Sequence, residues 1–200
     1  MGLLPEFLPA DLQHALVGVQ RHVTHCDGAQ TVWHAWGDAD RPVVVLLHGG
    51  SGSWTHWVRN IAPLQDAGWR VLVPDLPGFG DSDLPTGCSD VDGLPVHLHA
   101  GLQQLQPAGH VALVGFSFGG MTAALWLAAY PQDAQQLVLV GAPGMGFALP
   151  ERIPLKGWRH LPTPEAQAQV HRHNLMALML QTPGALDDLA LNLHTANVQR

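Results

Sequence analysis

The apolar positions of this chain come in two patterns. Val43 to Leu47 is an unbroken apolar run with no polar alternation, and similar short runs recur at 71–73, 111–114 and 137–140. A strand apolar on both faces belongs in a parallel sheet covered by helices on either side. Between these runs lie helix-compatible stretches at about 53–67, 93–106 and 118–129. Buried strands alternating with helices predict an α/β fold with a doubly wound, mostly parallel sheet. Ahead of them, 21–26 and 30–36 form two extended stretches separated by Asp27-Gly28, which predicts a hairpin. Residues 9–20 are compatible with a short N-terminal helix. The pattern predicts six strands up to Gly141.

After Gly141 the pattern changes. Pro143, Pro150, Pro154 and Pro162 mark 142–162 as a loop. Thr163-Pro164-Glu165 predicts a helix start, with Thr163 as N-cap and proline in the first turn, and the helix is expected to run to about Gln181. A second helix is expected from Thr182 to near Arg200. The organisation expected is therefore a sheet-bearing core over 1–141 and a helical cap segment over 142–200.

Each apolar strand end carries a distinctive turn. Gly115-Phe116-Ser117-Phe118-Gly119 follows the run 111–114 and opens a helical stretch. A serine on a sharp strand-to-helix turn, with glycines at 115 and 119 to let strand and helix approach, has the form of a nucleophile elbow. The competing reading is a serine that merely caps the helix. His48-Gly49-Gly50-Ser51-Gly52 follows the run 43–47. Acyl transfer needs two N–H donors for the developing oxyanion, and Gly50 and Phe118 are the candidates. Phosphate binding is excluded because no Gly-Lys-Ser/Thr follows and the third glycine of a dinucleotide fingerprint is missing. Asp75, Asp81 and Asp83, in the turn after 71–73, are read as acceptors that shape their loop rather than as catalytic acids. His48 is read as ordering the glycine loop and His56 as bordering the pocket.

In order and spacing, His48-Gly49-Gly50, Asp75-Leu76-Pro77-Gly78-Phe79-Gly80-Asp81-Ser82 and Gly115-Phe116-Ser117-Phe118-Gly119-Gly120 resemble the motifs of the α/β-hydrolase superfamily. In character the chain is most similar to its cap-bearing serine members, the meta-cleavage-product hydrolases and esterases. The resemblance implies Ser117 as nucleophile, an oxyanion hole of Gly50 and Phe118, no cofactor, and a small-molecule substrate. It also implies a pocket lined by Trp54, Phe147, Met176 and Met179, joined by Trp57, Trp158 and Leu175. In that superfamily the acid follows the seventh strand and the histidine the eighth. Neither partner has a matching position here, and 142–150 holds no Asp or Glu. The resemblance therefore implies a C-terminally truncated chain with negligible turnover. The alternative is a non-catalytic, small-molecule-binding protein on the same fold.

Composition narrows the rest. The chain is 46% hydrophobic and 12% charged, which is the mix of a folded domain with a large core. A net charge of −7 and no basic cluster exclude nucleic-acid binding. No apolar run approaches the length of a membrane span. Two cysteines, Cys26 and Cys88, far apart and without a secretion signal, make a reduced cytoplasmic setting the expectation. The 13 histidines are expected to lower solubility on acidification, as their charge cancels the acidic excess. His97/His99 and His171/His173 pair at i, i+2, which points them to different sides of a helix, so no metal site is expected.

Overall fold

The computed structural model describes residues 8–106, 111–146, 154–180 and 182–199. Six strands, β1 (Gln20–Cys26), β2 (Ala29–Trp36), β3 (Val43–Leu47), β4 (Arg70–Pro74), β5 (Val111–Phe116) and β6 (Gln136–Val140), form one sheet in the order β1-β2-β4-β3-β5-β6. The first two make the predicted hairpin. Cys26 lies opposite Ala29, so only Asp27 and Gly28 turn the chain, both at positive φ. Positive φ at both central residues is the turn whose twist matches paired strands. β2 runs antiparallel to β4, and the other pairings are parallel.

The doubly apolar strands feed two cores. Val43, Val45 and Leu47 point to one face of the sheet, where Leu94, Leu98 and Leu102 of α3 (Leu94–Leu105) and Ala123 and Trp126 of α4 (Phe118–Ala129) cover them. Val44, Leu46, Val71 and Val73 point to the other face, against Val58 and Ile61 of α2 (Val58–Asp66) and Leu16 beside α1 (Ala10–Ala15). Removing both faces from water is what stabilises strands of this kind.

Helix boundaries moved where local chemistry was stronger than periodicity. The expected 9–20 helix is only α1, because Gly18 turns at φ 85° before β1 begins. The stretch expected as one helix over 53–67 starts as a 3-10 turn, Trp54–Trp57, capped by the Ser53 side chain, and continues as α2. Helix α5 spans Pro164–Leu178, with Thr163 accepting a bond from the Ala166 N–H. The helix expected from 182 begins later as α6 (Asp188–Val198), because Asp187 caps it and Pro183–Ala185 forms a separate 3-10 turn.

Two features depart from a simple core-plus-cap division. Leu189 and Leu193 of α6 sit in the same apolar cluster as Trp54, Val58 and Ile61, so the last helix is part of the core packing. β6 is an outer strand, and Leu137, Val138, Leu139 and Val140 are each more than a third exposed. An open, apolar strand edge of this kind is an association hazard. Among the described residues no helix is long and apolar enough to cross a membrane.

Candidate active site

Ser117 sits between β5 and α4 at φ 52°, ψ −117°. That conformation is strained for any residue with a Cβ and costs about 1–3 kcal/mol, so the surroundings must hold it. They do so closely. The Ser117 N–H donates to the Val140 carbonyl at 2.8 Å, and the Ser117 carbonyl accepts from Gly120 at 2.9 Å. A Cβ on Gly115 would lie 2.5 Å from the Gly119 carbonyl, and one on Gly119 would lie 2.4 Å from the Leu47 and His48 carbonyls. Both glycines are therefore required by close backbone approach, as the motif implied. Ser117 occupies the N-cap position of α4, yet its hydroxyl makes no capping bond. The half-buried side chain has no hydrogen-bond partner among the described residues, so it does not act as a helix cap.

The glycine loop after β3 lies against this turn. A Cβ on Gly49 would approach the Ser117 Cβ to 3.4 Å, and one on Gly50 would lie 3.8 Å from the Phe118 Cβ. The loop is fixed by two buried rings. The Leu76 N–H donates to His48 Nε2 at 2.9 Å, so that nitrogen is unprotonated. His48 Nδ1 then carries the hydrogen and donates to the Gly49 carbonyl at 2.8 Å. The Gly49 N–H donates to His56 Nδ1 at 3.3 Å. With the Gly49 amide taken, the Gly50 N–H has no acceptor among the described residues. Nor does the N–H of Phe118, which as the first residue of a helix has no intrahelical carbonyl to reach.

Asp75 joins the loops, as expected of a shaping residue. Fully buried, it accepts from the Trp54 N–H at 2.8 Å and the Asp81 N–H at 2.9 Å. Asp83 accepts from the Gln30 N–H.

Burial controls the histidines. Loss of water lowers His48 to about 3, opposed by its bond to Gly49. Burial likewise lowers His56 to about 4, with nearby His194 acting in the same direction. His194 is also lowered to about 4 by burial and by His171, itself lowered by burial. Each ring binds its proton less readily in the native state than in the unfolded chain, whose histidines titrate near 6.5. Native stability is therefore complete above that value and is lost as pH falls from 6.5 toward 4. At pH 5, His48 alone should withdraw about 2 kcal/mol. Urea midpoints at pH 7.5 and pH 5.0 check this. The midpoint should fall at the lower pH, with a smaller fall in His56→Gln.

Two cavities flank the serine. One, of about 480 Å³, is lined by Gly50 and Ser51 on the core side and by Trp158, His171 and Asn174 opposite. The second, of about 450 Å³, is lined by His56, Phe116, Val140 and Leu193. Leu175, Met179 and His194 border both. Ser117 lines neither directly, but its neighbours Phe116 and Gly50 do. Of the residues expected to line a pocket, Met179, Trp57, Trp158 and Leu175 line one or both cavities. Trp54 does not: it is 3% exposed and stacked on His34 at 4.9 Å, because the 3-10 turn directs it into the core. Met176 is half-buried on α5 and lines neither cavity, whereas Met179, one turn on, lines both. Phe147 lies outside the described residues. Asn197 and the facing pair His171 and His194 carry no local motif, and periodicity gave no sign of them.

The family model for the alpha/beta hydrolase fold matches residues 42–194. The chain belongs to the α/β-hydrolase family. Within it, the chain is 29% identical over 161 residues to a 2-hydroxy-6-oxo-6-phenylhexa-2,4-dienoate hydrolase of Burkholderia cepacia, covering 78% of this chain and 56% of that protein. It is 31% identical over 136 residues to a 2-hydroxy-6-oxononadienedioate/2-hydroxy-6-oxononatrienedioate hydrolase of Escherichia coli K12, covering 66% and 47%. Cfl2 from Burkholderia cenocepacia superposes with a TM-score of 0.70 at 28% identity, over 92% of this chain and 67% of that one. The chain spans about half the length of the curated relatives it matches.

Proposed function

We propose that Ser117 is the nucleophile of a serine hydrolase acting on an ester, or on a carbon–carbon bond next to a ketone. The observation that carries this is a serine hydroxyl on a strained elbow, beside the amides of Gly50 and Phe118, all three without a partner among the described residues. Attack by Oγ on a carbonyl carbon would place negative charge on the carbonyl oxygen. Two preorganised N–H donors stabilise that charge, each worth about 3–4 kcal/mol of barrier. The serine proton passes to a base, the leaving group departs with a proton, and water releases the acyl product. The apolar cavity beside Phe116 suits the apolar part of such a substrate. Unsaturated 2-hydroxy-6-oxo acids, of the kind in the relatives' names, are the first substrates to test.

The histidines near this site are poor bases. Both nitrogens of His48 are engaged, and His56 and His194 titrate near 4, well below working pH. These 200 residues are accordingly expected to react slowly at Ser117 and to turn over slowly, with the oxyanion donors supplying most of what remains. The test is overnight exposure to a fluorophosphonate, intact-mass analysis and peptide mapping, followed by assays on short p-nitrophenyl esters and a 2-hydroxy-6-oxo-dienoate. One adduct, on Ser117, is expected. A protein that binds these compounds but stays unlabelled even at alkaline pH, where hydroxide takes the proton the histidines cannot, would mark a non-catalytic binding protein instead.

A further inference from the structure

Helix α6 is fastened at both ends to one short stretch of core, residues 53–59. At its start, Asp187 pairs with Arg59 on the surface. At its end, the Asn197 Oδ1 accepts from Ser53 Oγ at 2.8 Å and from Thr55 Oγ1 at 3.2 Å. The two attachments differ in kind. The ion pair is half exposed on both sides, where such pairs contribute little. Ser53 and Thr55 are 0% and 5% exposed, so their hydroxyls depend on protein partners.

Ser53 is also the residue on which the glycine loop ends. Its Oγ caps the 3-10 turn by accepting from the Thr55 N–H at 3.3 Å. The preceding residue, Gly52, is pressed against His56, since a Cβ there would lie 2.3 Å from the ring. That ring holds the Gly49 N–H. Between them, Ser51 is kept at φ 52°, a conformation that does not persist unless its flanks are fixed. A displacement of Ser53 is therefore transmitted to Gly52, to His56 and to the Gly49–Gly50 peptide. The other anchors of this loop, His48 and Asp75, come from the core. Among the described residues, Asn197 is the anchor from beyond Gly141.

We infer that Asn197 is a positioning residue for the oxyanion loop: through Ser53 and Thr55 it keeps the Gly50 amide facing Ser117. This rests on the nucleophile reading above and adds a residue from the last helix to it. α6 also borders both cavities through His194, so the helix that meets the substrate is the helix that sets the oxyanion donor.

The experiment measures the second-order rate of Ser117 labelling by a fluorophosphonate, with a thermal midpoint recorded for every variant. Asn197→Leu keeps the bulk and removes the acceptor, and should slow labelling by about tenfold to a hundredfold. Asn197→Asp restores an acceptor oxygen and should label within about threefold of the parent. Ser53→Ala removes the same bond from the core side and should show the same slowing, which keeps the test usable if the leucine variant does not fold. Asp187→Ala loosens the other end of α6 and should leave the rate unchanged. A leucine variant that labels at the parent rate, whatever its thermal midpoint, overturns the inference. So does an equal slowing in Asp187→Ala, which would mean that docking of the whole helix is what matters. Both outcomes leave the nucleophile reading intact. A parent protein that gives no adduct even at alkaline pH, where hydroxide takes the proton the histidines cannot, removes that reading and the inference with it.

Discussion

Gly119→Ala is expected to cost about 3 kcal/mol or more of stability and to leave little folded protein at 37 °C. The added methyl would sit 2.4 Å from two carbonyl oxygens, those of Leu47 and His48. Both belong to backbone, at the end of β3 and the start of the glycine loop, and neither can swing aside as a flexible side chain would. β3 is a central strand, paired to β4 and β5, with Val45 and Leu47 essentially fully buried. Relief requires moving that strand end or the elbow itself. Gly50→Ala is the matched control. Its methyl would meet only the Phe118 Cβ at an ordinary 3.8 Å, so its stability should stay within about 0.5 kcal/mol of the parent. Urea unfolding of the pair decides the matter. Equal midpoints would mean that the elbow and the glycine loop do not pack as described.

Ser117→Gly should abolish labelling while raising stability by about 1 kcal/mol. The serine stands at φ 52°, ψ −117°, a backbone that glycine adopts without strain. Part of the gain is offset because glycine adds freedom to the unfolded chain. Ser117→Ala keeps the strain and loses the hydroxyl, so it should lose labelling at nearly parental stability. The two variants together separate the chemical role of the side chain from the conformational cost of presenting it. A glycine variant less stable than the alanine variant would show that the elbow is not strained in this protein. Persistent labelling in either would place the nucleophile elsewhere.

Much of the site was legible because its parts are local. A tight strand-to-helix turn needs small residues at fixed offsets, so Gly115, Ser117 and Gly119 announce themselves within five positions. The glycine loop does the same, and because His56 occupies the Gly49 amide, Gly50 is the candidate donor of the two. Trp54 went astray for an equally physical reason. A large aromatic residue next to a glycine loop suits a pocket wall or a core, and only the direction imposed by the 3-10 turn separates the two. Met176 lies on α5 and Met179 is its C-cap, and the docking of that helix end turns only the second toward the cavities.

Local periodicity and turn chemistry were enough for the strands, most helices, the hairpin and the elbow, since each is specified by neighbours a few residues apart. They could not reveal that the last helix packs into the core, that Asn197 reaches back to Ser53, or that His194 comes beside His56. Those contacts join residues well over a hundred positions apart. Nothing in the intervening sequence encodes them. They follow from how whole apolar faces pack, and burial then sets the protonation of every ring that is caught between them.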